Sequence, residues 1–207
     1  LHFFPTVAVV LNVEADHLDF FKDLDDIKQS FRRFAQLTPQ DGHIVANADD
    51  AGAMDALKGL PLFTFGCCEG ADCQARNLTW QHGRPDFDVV AGGEVYTHLS
   101  LRVAGLHNVY NALAAASAAY VLGIPGKAVR QGLEGFFGAG RRFELKGQYN
   151  GARIYDDYAH HPAELHALLD MAKSLGYDRV ICAFQPHTYT RTKALFEDFV
   201  QELQIAD

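Results

Sequence analysis

The sequence predicts a mixed α/β protein of two domains, built mainly on a parallel sheet. Short apolar runs rich in β-branched residues alternate with stretches of helical spacing, which is typical of parallel strands with helices on their faces. A middle stretch of short alternating segments, separated by turns that contain glycine, indicates small antiparallel hairpins. A glycine-rich segment at residues 135–140 then precedes a second alternation of strand and helix and marks the domain boundary.

The first unit begins with an apolar, β-branched run over residues 6–13, which is typical of a strand buried on both faces. A helix is predicted over residues 23–37, because apolar residues recur there at spacings of three and four. Strands over residues 43–47 and 62–65 enclose a short helix over residues 50–58. This order predicts parallel strands joined by helices.

The next stretch changes in character. Three short alternating runs predict hairpin strands, at residues 75–80, 87–91 and 94–101. An alanine-rich helix over residues 109–122 follows, and a second helix is predicted over residues 125–133.

The second unit again alternates strand and helix. Its predicted elements are strands at 142–148 and 152–155, a helix at 163–175, a strand at 179–184 and a helix at 191–203. An Asn-Gly dipeptide joins the first two strands and indicates a tight hairpin turn.

Composition restricts the function. The 207 residues are 48% hydrophobic and 21% charged, which suits a folded chain of one or two domains. A net charge of -8 gives no support to nucleic-acid binding through a broad basic face. The four cysteines lack common zinc spacings, so we interpret them as reduced thiols of a cytoplasmic protein. No apolar run approaches the roughly 20 residues of a membrane span, so no membrane partner is expected.

The chain is expected to be a fragment cut at both ends. Its first residue is not Met, it opens in mid-structure, and it stops just after an amphipathic helix. We therefore expect a partial domain over residues 1–137 and a second partial domain over residues 138–207, hinged at residues 135–140.

A polar loop follows the first predicted strand. It gathers Asn12, three carboxylates and His17 within eight residues. Such groups suit a hard divalent cation and its phosphate ligand. The alternative is an acidic loop that caps the next helix.

Two asparagines stand at the junction between the last hairpin strand and the alanine-rich helix. Asn108 and Asn111 are three residues apart and so share a helix face. Two amides there can read the edge of a purine by paired donor and acceptor bonds. The alternative is that both cap the helix start.

The segment 156–162 holds two carboxylates, a phenol and two imidazoles between a predicted strand and a helix that begins near Pro162. Loops at the carboxyl ends of strands are the usual ligand sites in open α/β sheets. The alternative is a polar loop with a capping histidine.

Two further segments carry basic side chains. Arg142, just after the glycine-rich boundary, can reach a phosphate or stack on a base. The alternative is a salt bridge to Glu144 or a neighbour. In the segment 185–192, His187 and Arg191 could bind an anionic substrate. The alternative there is an ordinary loop with Thr190 as the helix N-cap.

Taken together, these segments resemble the motifs of the Mur ligases over nearly the whole chain. The motifs are VLNVEADHLDFF (10–21), GLHNVYNALAA (105–115), GRRFE (140–144), DDYAHHP (156–162) and FQPHTYTRT (184–192). The resemblance implies a central ATPase domain followed by part of a Rossmann-like C-terminal domain. It also implies an ATP-dependent ligase of peptidoglycan synthesis, in which an acyl phosphate is attacked by an amine. The substrates implied are UDP-N-acetylmuramate and L-alanine.

The resemblance also implies roles at the nucleotide. By matched position, His17 would help to hold Mg²⁺. Asn108 and Asn111 would contact the adenine of ATP, as would His107 more loosely. Arg142 would meet the nucleotide from the interdomain side. His17 and Arg142 are therefore predicted catalytic residues.

A second set of roles concerns the substrate side of the cleft. Asp157, Tyr158 and His160 would line the nucleotide and amino-acid side, with Asp157 and Tyr158 contacting the nucleotide. His160, His187 and Arg191 would face the amino acid or the muramoyl substrate. Asp157 and His160 complete the set of predicted catalytic residues.

Two departures from the family pattern stand out. No G-K-[ST] phosphate loop occurs in the sequence, so it is expected upstream, and the fragment alone is expected to be inactive. Thr188 stands where many relatives have arginine.

Other functions remain open at this point. A murein-peptide recycling ligase shares the fold and the ATP chemistry, whereas folylpolyglutamate synthases fit the motifs less well. A non-catalytic nucleotide-binding module would also lack a phosphate loop. A metallohydrolase built on His160, His161 and His187 would hold a transition metal.

Overall fold

The computed structural model describes residues 3–18 and 20–207 and confirms the mixed α/β class. The strands are β1 Val7–Val10, β2 His43–Asn47, β3 Leu62–Gly66, β4 Cys73–Gln81, β5 Arg84–Ala91, β6 Glu94–Ser100, β7 Glu144–Tyr149 and β8 Ala152–Asp156. The helices are α1 Leu24–Ala35, α2 Ala51–Ala56, α3 Leu106–Val121, α4 Gly126–Glu134, α5 Pro162–Ser174, α6 Tyr189–Ala194 and α7 Phe196–Leu203. Among these described helices, none combines the length and the apolar character that crossing a membrane requires.

The first six strands form one sheet in the order β1-β2-β3-β4-β5-β6. Strands β1 to β4 pair in parallel, and the two hairpins β4–β5 and β5–β6 extend the same sheet in the antiparallel sense. The predicted mostly parallel sheet with antiparallel hairpins is therefore confirmed.

The first strand is shorter than the run of residues 6–13 suggested, and it is not buried on both faces. Ala8 and Val10 are buried, whereas Val9 is 38% exposed. The reason is position: β1 pairs only with β2 in the described residues, and α1 and α2 cover one of its faces through the cluster that contains Val10 and Ile27.

The alanine-rich helix α3 packs across the sheet. Its buried residues Val109, Leu113 and Ala116 join the main core with Phe65 and Phe87 from the strands. Alanine on this face lets the helix backbone approach the sheet closely. The helix begins at Leu106, three residues before the predicted start at residue 109.

The second unit has its own sheet, the hairpin β7–β8. Asn150 and Gly151 at its turn both have positive φ, 48° and 86°, as the Asn-Gly signal predicts for a type I′ turn. Helix α5 begins at Pro162 with a capping box. Glu164 accepts from the backbone N–H of His161, and the His161 side chain accepts from the backbone N–H of Ala163.

Two predictions for the end of the chain are wrong. Residues 179–184 form no strand; the backbone of Val180 is engaged instead by Asp207, with N–O distances of 2.7 and 2.8 Å. An apolar, β-branched run becomes a strand only where a neighbouring strand offers free backbone groups, and Ile181 remains 73% exposed. The single helix expected over residues 191–203 is two helices, α6 and α7, which meet at Leu195.

Candidate nucleotide and substrate site

The two units meet at the first turn of α3. Gly105, which precedes this helix, has φ +94°. A Cβ at this position would lie 2.7 Å from Cε1 of His107 and 3.0 Å from the sulfur of Met171 on α5. Only glycine combines this backbone conformation with such a close approach. The start of α3 therefore lies against the second unit.

The two asparagines lie within the first turns of α3 and do not cap it. Gly105 occupies the N-cap position, and no side chain caps this helix. Asn108 donates from Nδ2 to the carbonyl oxygen of Ala104 at 2.7 Å. Asn111 donates from Nδ2 to Oδ1 of Asn108 at 3.3 Å. The structure thus brings the two amides together, and the capping alternative is wrong.

A pocket of about 210 Å³ opens beside these amides. Its lining residues are Leu101, Val103, Asn108, Asn111, Ala112, Leu133 and Phe136. Apolar walls with a few polar groups that fix orientation are the usual character of a small-molecule site. A flat heterocycle with polar edge groups suits this lining.

His107 adjoins both units. Its Nε2 lies 3.1 Å from Nδ2 of Asn108. Crowding by protein atoms lowers the pKa of His107 although part of the residue is exposed; the nearby Asp157 carboxylate opposes this shift, and the Arg142 cation adds to it. The imidazole is therefore neutral at pH 7, and the predicted residues His107, Arg142 and Asp157 are close enough to influence one another.

Asp157 fixes the loop that carries this part of the site. Its Oδ2 accepts from the backbone N–H of Phe143 and its Oδ1 from that of Ala159, both at 2.7 Å. Phe143 has φ 47°, a left-handed conformation that this hydrogen bond helps to hold. Arg142 lies 3.6 Å from Oε1 of Glu164 and is half-exposed, so its ion pair is with Glu164 and not with Glu144.

Tyr158 and His160 form a second small group. The guanidinium of Arg141 lies 4.6 Å above the Tyr158 ring, and the rings of Tyr158 and His160 meet edge to face at 5.0 Å. His160 contacts the carbonyl oxygen of Tyr158 through Nδ1 at 2.8 Å, and its backbone N–H donates to Glu164. The Nε2 atom of His160 is not used in these contacts.

The loop after β1 reaches the last segment of the chain. The side chain of His17 is 65% exposed, and its Nε2 lies 3.5 Å from Oδ2 of Asp16. Arg191 donates from Nε and Nη2 to Oδ1 of Asp16 at 3.1 and 3.0 Å. Asp16 was missed by the sequence reasoning, which treated the loop's carboxylates as a group. Its partner is 175 residues away, so no local pattern could identify it.

The described residues contain no group of three His, Cys, Asp or Glu side chains able to hold a metal ion. His17 therefore suits Mg²⁺ only if most ligands of the ion are water and phosphate, as is common for Mg²⁺. The metallohydrolase alternative gains no support. Nδ1 of His161 accepts from the N–H of Ala163 at 3.3 Å at the start of α5, and Nε2 of His161 is enclosed.

His187 is exposed at the end of the irregular segment. Within ranges 3–18 and 20–207, the side chain of His187 makes no hydrogen bond or ion pair with the other predicted site residues. Thr188, with φ 67°, stands at the N-cap position of α6, so the alternative with Thr190 at that position is wrong.

A further polar cluster, not predicted from the sequence, joins the ends of β2 and β3 to α3. Asp49 accepts from the Tyr110 hydroxyl at 2.9 Å and from the backbone N–H of Cys67 at 2.6 Å. Burial raises the pKa of the Cys67 thiol, and a hydrogen bond to Asp49 raises that of Cys68. Both thiols therefore remain protonated at neutral pH and serve packing and hydrogen bonding.

Comparison with protein-family models gives two matches. The model described as "Mur ligase middle domain" covers residues 2–119, and the model described as "Mur ligase, glutamate ligase domain" covers residues 141–207. The chain belongs to the Mur ligase family. The resemblance inferred from the motifs is thus confirmed, and the site described above lies where residues from both Mur ligase regions meet.

Two curated relatives of this chain carry the same name. The chain is 48% identical to the UDP-N-acetylmuramate–L-alanine ligase of Caldanaerobacter subterraneus subsp. tengcongensis, over 100% of its own length and 46% of the relative. It is 46% identical to the ligase of that name from Clostridium novyi, over 100% of itself and 45% of the relative. The chain therefore spans about half the length of the curated Mur ligases it matches.

Solved Mur ligase structures share the fold. The UDP-N-acetylmuramate–alanine ligase of Thermotoga maritima superposes with a TM-score of 0.78 at 29% identity, covering 99% of this chain and 45% of that one. A murein peptide ligase from Psychrobacter arcticus gives a TM-score of 0.65 at 27% identity, covering 100% and 43%.

Proposed function

We propose that this chain is part of an ATP-dependent ligase that adds L-alanine to UDP-N-acetylmuramate in peptidoglycan synthesis. The observation that carries the proposal is the identity of 48% and 46%, over the whole chain, to relatives of that name. Since the chain spans 46% of the first of these relatives, the activity is that of the longer protein.

The reaction joins a carboxylate to an amine in two steps. The carboxylate oxygen of UDP-N-acetylmuramate attacks the γ-phosphorus of ATP, and ADP leaves. The amino group of L-alanine then attacks the acyl carbon, and phosphate leaves from the tetrahedral intermediate. The enzyme therefore has to position three substrates and stabilise negative charge on the transferred group.

In the proposed assignment, the residues at the start of α3 bind the adenine. Asn108 is already held by Ala104, and it holds Asn111 in turn, so the polar edge of the pocket is fixed before the base arrives. The apolar walls of the pocket fit the base faces. Arg142 carries a half-exposed cation that lies close enough to His107 to affect its pKa, and it would meet phosphate.

The acidic end of the proposed site lies in the loop after β1. His17 would help to hold Mg²⁺ together with phosphate oxygens, and the ion would neutralise developing negative charge. Asp157 would act by fixing the loop between β8 and α5, because its two oxygens are engaged by backbone N–H groups. His160, His187 and Arg191 would contact the amino acid or the muramoyl substrate.

We also propose the domain division at residues 1–137 and 138–207. The separate sheets support it, since no strand of the six-stranded sheet pairs with β7 or β8 in the described residues. The two family models support it as well, because one ends at residue 119 and the other begins at residue 141. A cytoplasmic location fits the use of ATP and the four cysteines, which are free thiols.

The alternative of a murein-peptide recycling ligase is tested by substrate choice. The full-length protein is incubated with ATP, Mg²⁺ and UDP-N-acetylmuramate, and ADP release is measured with L-alanine or with a muropeptide such as L-alanyl-γ-D-glutamyl-meso-diaminopimelate. We expect ADP release that depends on L-alanine. Preference for the peptide would favour the recycling ligase, and no ADP release with either would contradict a ligase of this kind.

A further inference from the structure

One ion pair connects the two ends of the described chain. Arg191, on α6, directs two nitrogens at the same oxygen of Asp16, at 3.1 and 3.0 Å. The side chain of Arg191 is 12% exposed and that of Asp16 is 29% exposed. Most ion pairs among the described residues, in contrast, involve at least one side chain that is nearly half-exposed or more. The pair is thus partly shielded from solvent. Removal of one partner would leave the other charge partly buried and uncompensated.

Asp16 also determines the position of its chain neighbour. Its Oδ1 accepts from the backbone N–H of His17 at 2.7 Å, and its Oδ2 lies 3.5 Å from Nε2 of that imidazole. His17 has φ 53°, an uncommon conformation for a residue with a side chain, and the hydrogen bond from its N–H supports this turn. One carboxylate therefore orients both an imidazole in the first unit and a guanidinium in the second.

The neighbouring acidic residue does not share this role. Glu14 accepts from the amide of Asn12 at 2.8 Å and is tied to its own loop. Arg191, in contrast, retains capacity for a ligand. A guanidinium has five N–H donors, and two are used by Asp16, so three remain for an anionic group.

We propose that Asp16 is a positioning residue that couples His17, at the metal and phosphate end of the site, to Arg191, at the end that meets the anionic substrate. The inference rests on the proposed function. Asp16 touches neither the substrate nor the reacting atoms. It acts by orienting the guanidinium of Arg191, whose remaining N–H groups bind the substrate, and by holding the turn at His17. One carboxylate thereby links the contact between the two units to the positions of His17 and Arg191.

The test uses four variants of the full-length protein and one control variant. Asp16→Asn keeps the shape and removes the charge, Asp16→Glu keeps the charge on a longer arm, and Arg191→Gln removes the partner. The double variant Asp16→Asn/Arg191→Gln measures their coupling. Asp41→Asn is the matched control, because Asp41 is an exposed aspartate in the turn before β2.

Three quantities are measured for each variant: the kcat/KM for L-alanine, the Kd for ADP by calorimetry and the Tm without ligands. We expect Asp16→Asn to lower kcat/KM by at least ten-fold and to lower the Tm by a few degrees, with ADP affinity within two-fold of the parent. The double variant should be no worse than the poorer single variant. Asp16→Glu should recover part of the activity, and Asp41→Asn should behave as the parent.

The outcomes separate the two proposals. If the parent protein releases no ADP with L-alanine, the proposed function fails. If the parent is active and Asp16→Asn matches Asp41→Asn, or if the losses in the double variant simply add, the positioning role of Asp16 is wrong. Should Asp16→Asn fail to fold, Asp16→Glu decides: a reduced kcat/KM for L-alanine with a parental Tm supports the role, and parental activity overturns it.

Discussion

Asn111 donates a hydrogen bond to the side-chain oxygen of Asn108, one turn earlier on α3, at 3.3 Å. Nδ2 of Asn108 is engaged by the carbonyl oxygen of Ala104. The oxygen of Asn111 and its second N–H are thus available as an acceptor and a donor beside the apolar pocket. This pattern matches the paired edge of a purine, and Asn108 acts as the support that keeps Asn111 in this orientation.

Asn111→Ala should raise the KM for ATP about ten-fold or more in the full-length protein. A bound base with one unsatisfied buried polar group loses roughly 1–3 kcal/mol of binding free energy. About 1.4 kcal/mol corresponds to a ten-fold change in affinity. The preference for ATP over GTP should also relax, while the affinity for UDP-N-acetylmuramate changes little. Kinetics with both nucleotides and a thermal melt provide the measurement. A lower Tm with an unchanged KM and an unchanged ATP/GTP ratio would retire the adenine assignment.

Gly105→Ala should destabilise the protein more than a matched change at Gly59. Both glycines have positive φ, +94° and +81°, so both alanine variants carry the left-handed penalty of roughly 1–2 kcal/mol. At Gly105 the new Cβ also overlaps His107 and Met171, whereas nothing lies within 4 Å at Gly59. We expect an extra loss of about 1–3 kcal/mol in the free energy of unfolding, measured in urea. Equal losses would show that α5 does not press on the start of α3.

His98 on β6 faces two carboxylates of β5. Its Nδ1 lies 2.8 Å from Asp88 and its Nε2 lies 3.3 Å from Asp86. The hydrogen bond to Asp88 raises the pKa of His98, Asp86 adds to the shift, and partial burial opposes it. Asn77 and Ser100 donate to the same two carboxylates, so the acceptors are held in place.

Stability should therefore depend on the protonation of His98. Because its pKa is raised in the folded state, its contribution is complete below the unfolded pKa of about 6.5 and is lost as pH rises through the folded pKa. His98→Gln should flatten the fall in Tm over this window. The control is His82→Asn, at an exposed turn position where asparagine tolerates the positive φ of 51°. Identical pH profiles for the parent and His98→Gln would count against this ion-pair cluster.

His17→Ala should raise the Mg²⁺ concentration needed for half-maximal ADP release several-fold. The expected effect is moderate, because the imidazole is 65% exposed and an ion there would take most ligands from water and phosphate. The titration is run at saturating ATP, with His82→Asn as the control. Unchanged turnover together with an unchanged Mg²⁺ requirement would show that His17 does not help to hold the ion.

Local patterns in the sequence were sufficient for most of the fold. The strand at His43–Asn47 was predicted with both of its ends, since a buried strand leaves a continuous apolar run. The helix Leu24–Ala35 was predicted within two residues, because its N-cap, Asp23, and its apolar spacing are local signals. Helix α3 begins at Leu106, directly after Gly105. The alanine-rich run had suggested a later start, at residue 109.

What could not be predicted depends on distant partners. Residues 179–184 have strand composition, yet Val180 is paired with Asp207. Whether a strand forms depends on which edge is available, and composition does not contain that information. The Asp16–Arg191 pair likewise joins residues whose separation of 175 hides the contact from any local pattern. The asparagine pair was found because its three-residue spacing on a helix is itself a local signal.

Strand β1 has practical consequences for work with these 207 residues alone. Its backbone pairs with β2 on one side, and on the other side no strand of the described chain is bonded to it. Four apolar side chains in or next to β1 are exposed: those of Phe3, Phe4, Val9 and Leu11. Free backbone groups beside apolar side chains act as a template for another polypeptide. The isolated polypeptide should therefore self-associate as its concentration rises, so it is best purified in dilute solution. A Val9→Pro substitution, which removes a backbone N–H from β1, should reduce this association.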